Sequence, residues 1–270
     1  MTDHLRRHLA PIGDAAWELI EEQAGSSLRH FLAGRKLVHF SGPKGWDHSA
    51  EGAGRVKPLA GGPLPGVSAG LRQVHPLVEL RTPFELSLAE LDDVERGRSD
   101  PDLSPLVDAA RQAALSEDMA IFHGFADAGI EGIAGATPHA PLTIADDYNK
   151  YVGTAAQAVA TLRGGGVDGP YAIALGPRCY TGVIESTDYG GYPVLEHLRL
   201  ILGGPVVWAP GVNGAVVLSV GEEHFRFVSG QDFAIGYAGH DGDAVRLYLE
   251  ESFTFRVRTP EAAVAMVYAD

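Results

Sequence analysis

Cys179 and His197 are the residues of this chain whose types could act as nucleophile and general base. That chemistry needs a third group to orient the base, and the sequence offers none beside them. Cys179 therefore reads as a structural thiol. His4 and His8 have the spacing of one helical turn, which could present two imidazoles to a metal. No set of Cys, His and carboxylate residues accompanies them, so no metal site is assigned. Asp241-Gly242-Asp243 has the opening of a calcium loop but lacks the remaining ligands and the closing glutamate. It reads as a turn between strands. Gly164-Gly165-Gly166 follows a helical stretch and precedes a strand, the reverse of a phosphate-cradling loop, and reads as a helix stop. Asp92, Asp93 and Glu95 read as a solvated helix face. The stretch 184–192, from Ile184 through Glu185, Ser186, Thr187, Asp188, Tyr189 and Gly190 to Tyr192, is polar and glycine-rich, and reads as an exposed connection. No catalytic residue follows from any of these.

The elements around these residues are read from periodicity. Trp17, Ile20, Ala24, Leu28 and Phe31 recur at three and four, which predicts a helix over 14–32 with Gly34 as its stop. A short strand is expected over 36–40 and another over 77–86, the latter holding Pro83 only at an edge. Ser87 and Glu90 form a capping box for a helix that stops at Gly97. Ser104-Pro105 starts a helix whose apolar face carries Val107, Ala110, Ala114, Ile121, Phe122 and Phe125, ending near Gly129. Helices are expected over 143–162 and 193–202, and strands over 171–175, 206–208 and 215–220. From Phe225 to Val257 apolar and polar residues alternate, with Val245, Leu247 and Leu249 against Arg246, Tyr248 and Glu250, as in half-buried strands. Residues 45–70 differ. They hold seven glycines, three prolines and few large apolar side chains, too little to pack inside a compact domain.

The 270 residues allow one large domain or two modest ones, and 45% apolar content supports a sizeable core. A formal net charge of −14 disfavours nucleic acid as a partner. A single cysteine excludes an intrachain disulfide and fits a reducing compartment. The first residues lack the apolar stretch of a signal peptide, and no apolar run approaches the roughly 20 residues of a membrane span. A cytoplasmic protein is expected.

Several of these segments carry a resemblance. Leu32-Ala33-Gly34-Arg35-Lys36-Leu37-Val38, Gly42-Pro43-Lys44-Gly45-Trp46, Glu90-Leu91-Asp92-Asp93-Val94-Glu95-Arg96-Gly97, Gly230-Gln231-Asp232-Phe233-Ala234-Ile235-Gly236-Tyr237 and the stretch 243–257 stand in matching order. Together they resemble the encapsulins, or linocin-like proteins, shell proteins similar in fold to tailed-phage capsid proteins. The resemblance implies an α+β capsid-like fold. It places a peripheral domain at 1–44, 74–129 and 226–270, an extended loop at 45–73 that lies on a neighbouring subunit, and an axial domain at 130–225. It implies a non-enzymatic shell of about 60 copies, the minimum of closed icosahedral symmetry. The implied cargo is a dye-decolourising peroxidase or a ferritin-like iron-storage protein, held by its C-terminal peptide. Leu28, Leu32, Arg35, Phe233 and Ile235 would form the peptide groove, and Glu185, Ser186, Thr187, Asp188, Tyr189 and Gly190 a fivefold pore. Flavin-binding relatives place an aromatic residue where this chain has Ala89, so no flavin is carried over. A hydrolase of protease or bacteriocin type and a phage capsid protein are the alternatives.

Overall fold

The computed structural model describes residues 4–144, 147–187 and 190–269. Helix α1 (Asp14–Phe31) buries Ala16, Ile20, Ala24 and Leu28 on one face, as the periodicity requires. Its first turn is capped from outside: the Ala16 N–H donates to Glu95 Oε1 at 3.0 Å. The helix stops at Leu32, before Gly34. The backbone N–H groups of Ala33 and Gly34 then donate to the Asp118 carboxylate at 2.9 and 2.7 Å. That capture tightens residues 34–36 into a 3-10 turn, so strand β1 (His39–Ser41) starts later and runs shorter than expected.

Strands β2 (Ala50–Pro58) and β3 (Gly70–Pro76) pair with each other, antiparallel, into a projecting arm. Strand β4 (Val78–Ser87) pairs with a single strand among the described residues, an edge position that tolerates Pro83. Ser87 caps α2 (Leu88–Glu95) by accepting from the Glu90 N–H at 3.4 Å, and Gly97, at φ 103°, ends the turn that follows. Helix α3 (Ser104–Phe122) packs on α1 and β4. It stops seven residues short of Gly129. Gly124 takes φ 91° so close to the Gly132 N–H and the Ile130 carbonyl that no side chain would fit. Phe125, expected on the helix, lies instead in a two-residue strand, β5 (Gly124–Phe125), paired with β6 (Ile130–Glu131).

The central block continues with α4 (Ile133–Ala136) and β7 (Leu142–Ile144), so the helix expected from Thr143 opens as a strand. Helix α5 (Tyr151–Gly164) follows, ended by Gly165 and by Gly166 at φ 77°. Then come β8 (Tyr171–Leu175), α6 (Pro177–Glu185), α7 (Val194–Leu202), β9 (Gly203–Trp208) and β10 (Ala215–Ser219). The alternating region divides into β11 (Phe225–Ser229), β12 (Ala234–His240) and β13 (Ala244–Val257), and β14 (Ala263–Tyr268) closes the chain.

Two five-stranded sheets result. One runs β1-β11-β13-β12 with β4 added on β13, and the other runs β7-β14-β10-β8-β9. Ile20, Leu106, Leu247 and Leu249 mark the core between the first sheet and the helices α1 and α3, while Ile173, Val217, Leu162 and Leu198 mark the core of the second. The resemblance assigns 226–270 to the peripheral domain together with 1–44 and 74–129; within that stretch β14 pairs with β10 and β7 of the second sheet. Ala263, Val264, Ala265 and Met266 are all buried, and a strand apolar on both faces needs a sheet covered on both sides.

Candidate functional site

The arm exposes apolar side chains that nothing among the described residues covers. Val56, Leu64, Leu71 and Val74 are all more than half exposed. A lone two-stranded hairpin is marginal in water, and contiguous exposed apolar surface marks an interface. The long segment that the sequence set apart is therefore an ordered, two-stranded projection.

At the end of α1, Leu28, Leu32 and Ile235 are nearly buried, packed with Leu247 and Leu249, and Phe233 is half-buried beside them. Arg35 does not stand free at a rim. Its Nε donates to both Glu117 oxygens at 2.9 and 2.8 Å, Nη1 lies 2.7 Å from Asp232 Oδ1, and Nη2 lies 3.3 Å from Glu251 Oε2. The guanidinium also faces the rings of Phe40, Phe227 and Phe233 at 5.0–5.2 Å. One cation thus serves three carboxylates. Burial opposes its charge, but Glu117, Asp232 and Glu251 together hold its pKa above the ordinary value. Burial drives the carboxyls of Glu117 and Glu251 upward, Glu251 further because Glu117 lies beside it. Next to them, burial pushes Asp118 up to about 7, although the Gly34 and Ala33 N–H groups pull the other way.

The other sequence candidates separate. Cys179 is buried on α6 with Sγ 3.0 Å from the Tyr268 hydroxyl, and among the described residues it makes no hydrogen bond with His197. His197 instead packs on the Tyr192 ring at 4.6 Å. His4 turns inward, stacked on Trp46 at 4.4 Å and 3.0 Å from buried Glu250, while His8 lies in an exposed 3-10 turn. Asp241 accepts from the N–H groups of Asp243 and Ala244, so this segment is a strand turn. Glu95 caps α1, and Asp93 pairs with Arg96 and Arg98. Glu185 is exposed at the end of α6, Thr187 bridges to Pro193, and Gly190 is exposed. Asp188 and Tyr189 lie outside the described residues. Ala89 is exposed in the first turn of α2. No helix among the described residues is long and apolar enough to cross a membrane.

Glu117, Asp118, Glu250 and Glu251 were missed by the sequence reading. The signal for Glu117, Asp118 and Glu251 was legible: each is a charge where the local period calls for an apolar residue, whereas Glu250 stands at a position the alternation leaves polar.

A spine helix laid on one sheet, a second mixed sheet and an extended arm together define a capsid-fold shell subunit. Solved structures share that fold. A virus-like particle from Pyrococcus furiosus matches with a TM-score of 0.68 at 16% identity, over 92% of this chain and 98% of that one. The capsid of Myoviridae phage XM1 matches with a TM-score of 0.54 at 12% identity, over 87% and 90%. Sequence similarity narrows the class. Residues 1–254 match the family described as encapsulating protein for peroxidase. The type 1 encapsulin shell protein of Rhodospirillum rubrum is 48% identical over 97% of this chain and 95% of its own length, and that of Mycobacterium tuberculosis is 44% identical over 98% and 99%. The chain belongs to the encapsulin shell-protein family.

Proposed function

We propose that this subunit closes into an icosahedral shell of about 60 copies in the cytoplasm and encloses a peroxidase, with a ferritin-like protein as the other cargo class. The observation that carries assembly is the arm, whose exposed Val56, Leu64, Leu71 and Val74 need a second subunit to cover them. A peroxidase cargo is supported by the description of the matching family. The shell is not itself the catalyst; chemistry belongs to the cargo.

The cargo's C-terminal peptide docks where Phe233 is half-buried, over a floor of Leu28, Leu32 and Ile235. Arg35 fixes that floor through its carboxylates rather than reaching for the peptide. Small apolar peptide side chains suit such a shallow site. Glu185 to Gly190, with Asp188 and Tyr189 between, ring the fivefold axis and favour cations. Size-exclusion chromatography with negative-stain microscopy tests the assembly. Hollow closed particles are expected, and a protein that stays monomeric at micromolar concentration overturns the reading. Mass spectrometry of shells co-expressed with a tagged peroxidase tests the cargo.

A further inference from the structure

Arg226 on β11 stands directly opposite Arg256 on β13 in the antiparallel register. Like charges in that position destabilise a sheet. Arg258 follows two residues after Arg256, just past the strand end. Among the described residues little offsets these charges. Arg226 lies 3.5 Å from Glu51, but Lys44 already holds that carboxylate at 2.6 Å. The Arg226 Nε is buried without a hydrogen-bond partner among the described residues. Arg256 donates to the Gly52 carbonyl at 3.4 Å, and among the described residues neither it, Arg55 nor Arg258 has a carboxylate within ion-pair distance. Desolvation and the neighbouring Arg258, Arg226 and Arg55 lower the Arg256 pKa, and burial and Arg256 lower that of His75.

A cleft of ≈ 350 Å³ opens at the root of the arm beside Arg256. Arg55, Gln73 and His75 line it from the arm and Arg256 from the sheet, with Glu131 as the acid in its wall. A chain of net charge −14 thus sets Arg55 and Arg256 in one cleft whose lining holds a single acid, Glu131.

We propose that this cleft binds a small multivalent oxyanion of the phosphate or pyrophosphate kind. Arg55 and Arg256 supply planar N–H forks that match phosphate oxygens, and Gln73 and His75 supply further donors. The anion offsets the charge of Arg55 and Arg256, the two arginines of the lining. It also ties the arm to the body of the subunit, because its ligands come from both.

Isothermal titration calorimetry of the purified full chain with sodium pyrophosphate, in chloride buffer of matched ionic strength, reads the site. The native protein is expected to show saturable binding. Arg256→Gln and Arg55→Gln are each expected to weaken it about tenfold or more, the worth of one charge-assisted hydrogen bond. Arg55 is exposed, so its variant keeps the fold even if Arg256→Gln does not. No saturable binding by the native protein, or unchanged affinity in Arg55→Gln, overturns the proposal.

Discussion

Asp118 is fully buried, accepts from two backbone N–H groups, and holds its proton up to about pH 7. The sign of its effect on stability follows. Below about pH 4 the folded and unfolded chains both carry the proton. Between about pH 4 and 7 the unfolded chain loses it while the folded chain keeps it, so stability falls as pH rises and levels off above 7. The whole effect amounts to about 4 kcal/mol. Asp118→Asn is expected to flatten that part of the stability-against-pH curve, measured by urea unfolding from pH 4.5 to 8. A slope equal to the parent's would show that another group carries the titration. Two neighbours on the proposed docking surface differ in burial. Ile235 is 5% exposed, and an uncompensated carboxylate there costs several kcal/mol, so Ile235→Asp should fail to fold. Phe233→Asp should fold, assemble and emerge empty when co-expressed with tagged cargo. Full loading of the Phe233→Asp shell would place the peptide elsewhere.

At the scale of elements, the arm and the body of the subunit are stabilised by different things. The body has two apolar cores, whereas β2 and β3 hydrogen-bond mainly to each other and bury almost no apolar surface. Deleting residues 51–67 should therefore leave the unfolding free energy of the subunit within about 1 kcal/mol of the parent's while abolishing closed particles. Microscopy and denaturant unfolding on the same sample check both halves. Shells of normal diameter after the deletion would remove the arm from assembly. Helix α3 works differently: the carboxylates of Glu117 and Asp118 reach Arg35 and the backbone after α1, so it clamps the two helices together as well as packing on the sheet.

For the whole molecule, the proposed fivefold pore makes charge balance the quantity to test. Each chain carries −14, and Glu185 is exposed at the end of α6. A ring of carboxylates concentrates cations, an effect that fades as salt shortens the Debye length. Replacing Glu185 and Asp188 with lysine should slow entry of ferrous iron several-fold at low ionic strength, with the difference shrinking at about 0.5 M salt. Stopped-flow oxidation by an enclosed ferritin-like enzyme, compared with the same enzyme free, measures it. Equal rates for parent and variant at low salt would mean that ions enter by another route.

What the sequence determined by itself was carried by short-range spacing. The period of Ile20, Ala24 and Leu28 makes α1, the Ser87–Glu90 box starts α2, and residues 171–175 form the strand expected of them. The apolar poverty of 45–70 also foretold a segment outside the core. Tertiary structure alone decided which charges meet. Arg35 finds Glu117 82 residues away and Glu251 216 residues away, and Arg226 meets Arg256 through strand register. It also decided that β14 leaves its neighbours in sequence to complete the second sheet. The physical reason is common to these cases. Periodicity records how a residue relates to its own helix or strand, whereas a buried charge is stabilised by partners that only the path of the whole chain brings within hydrogen-bond distance.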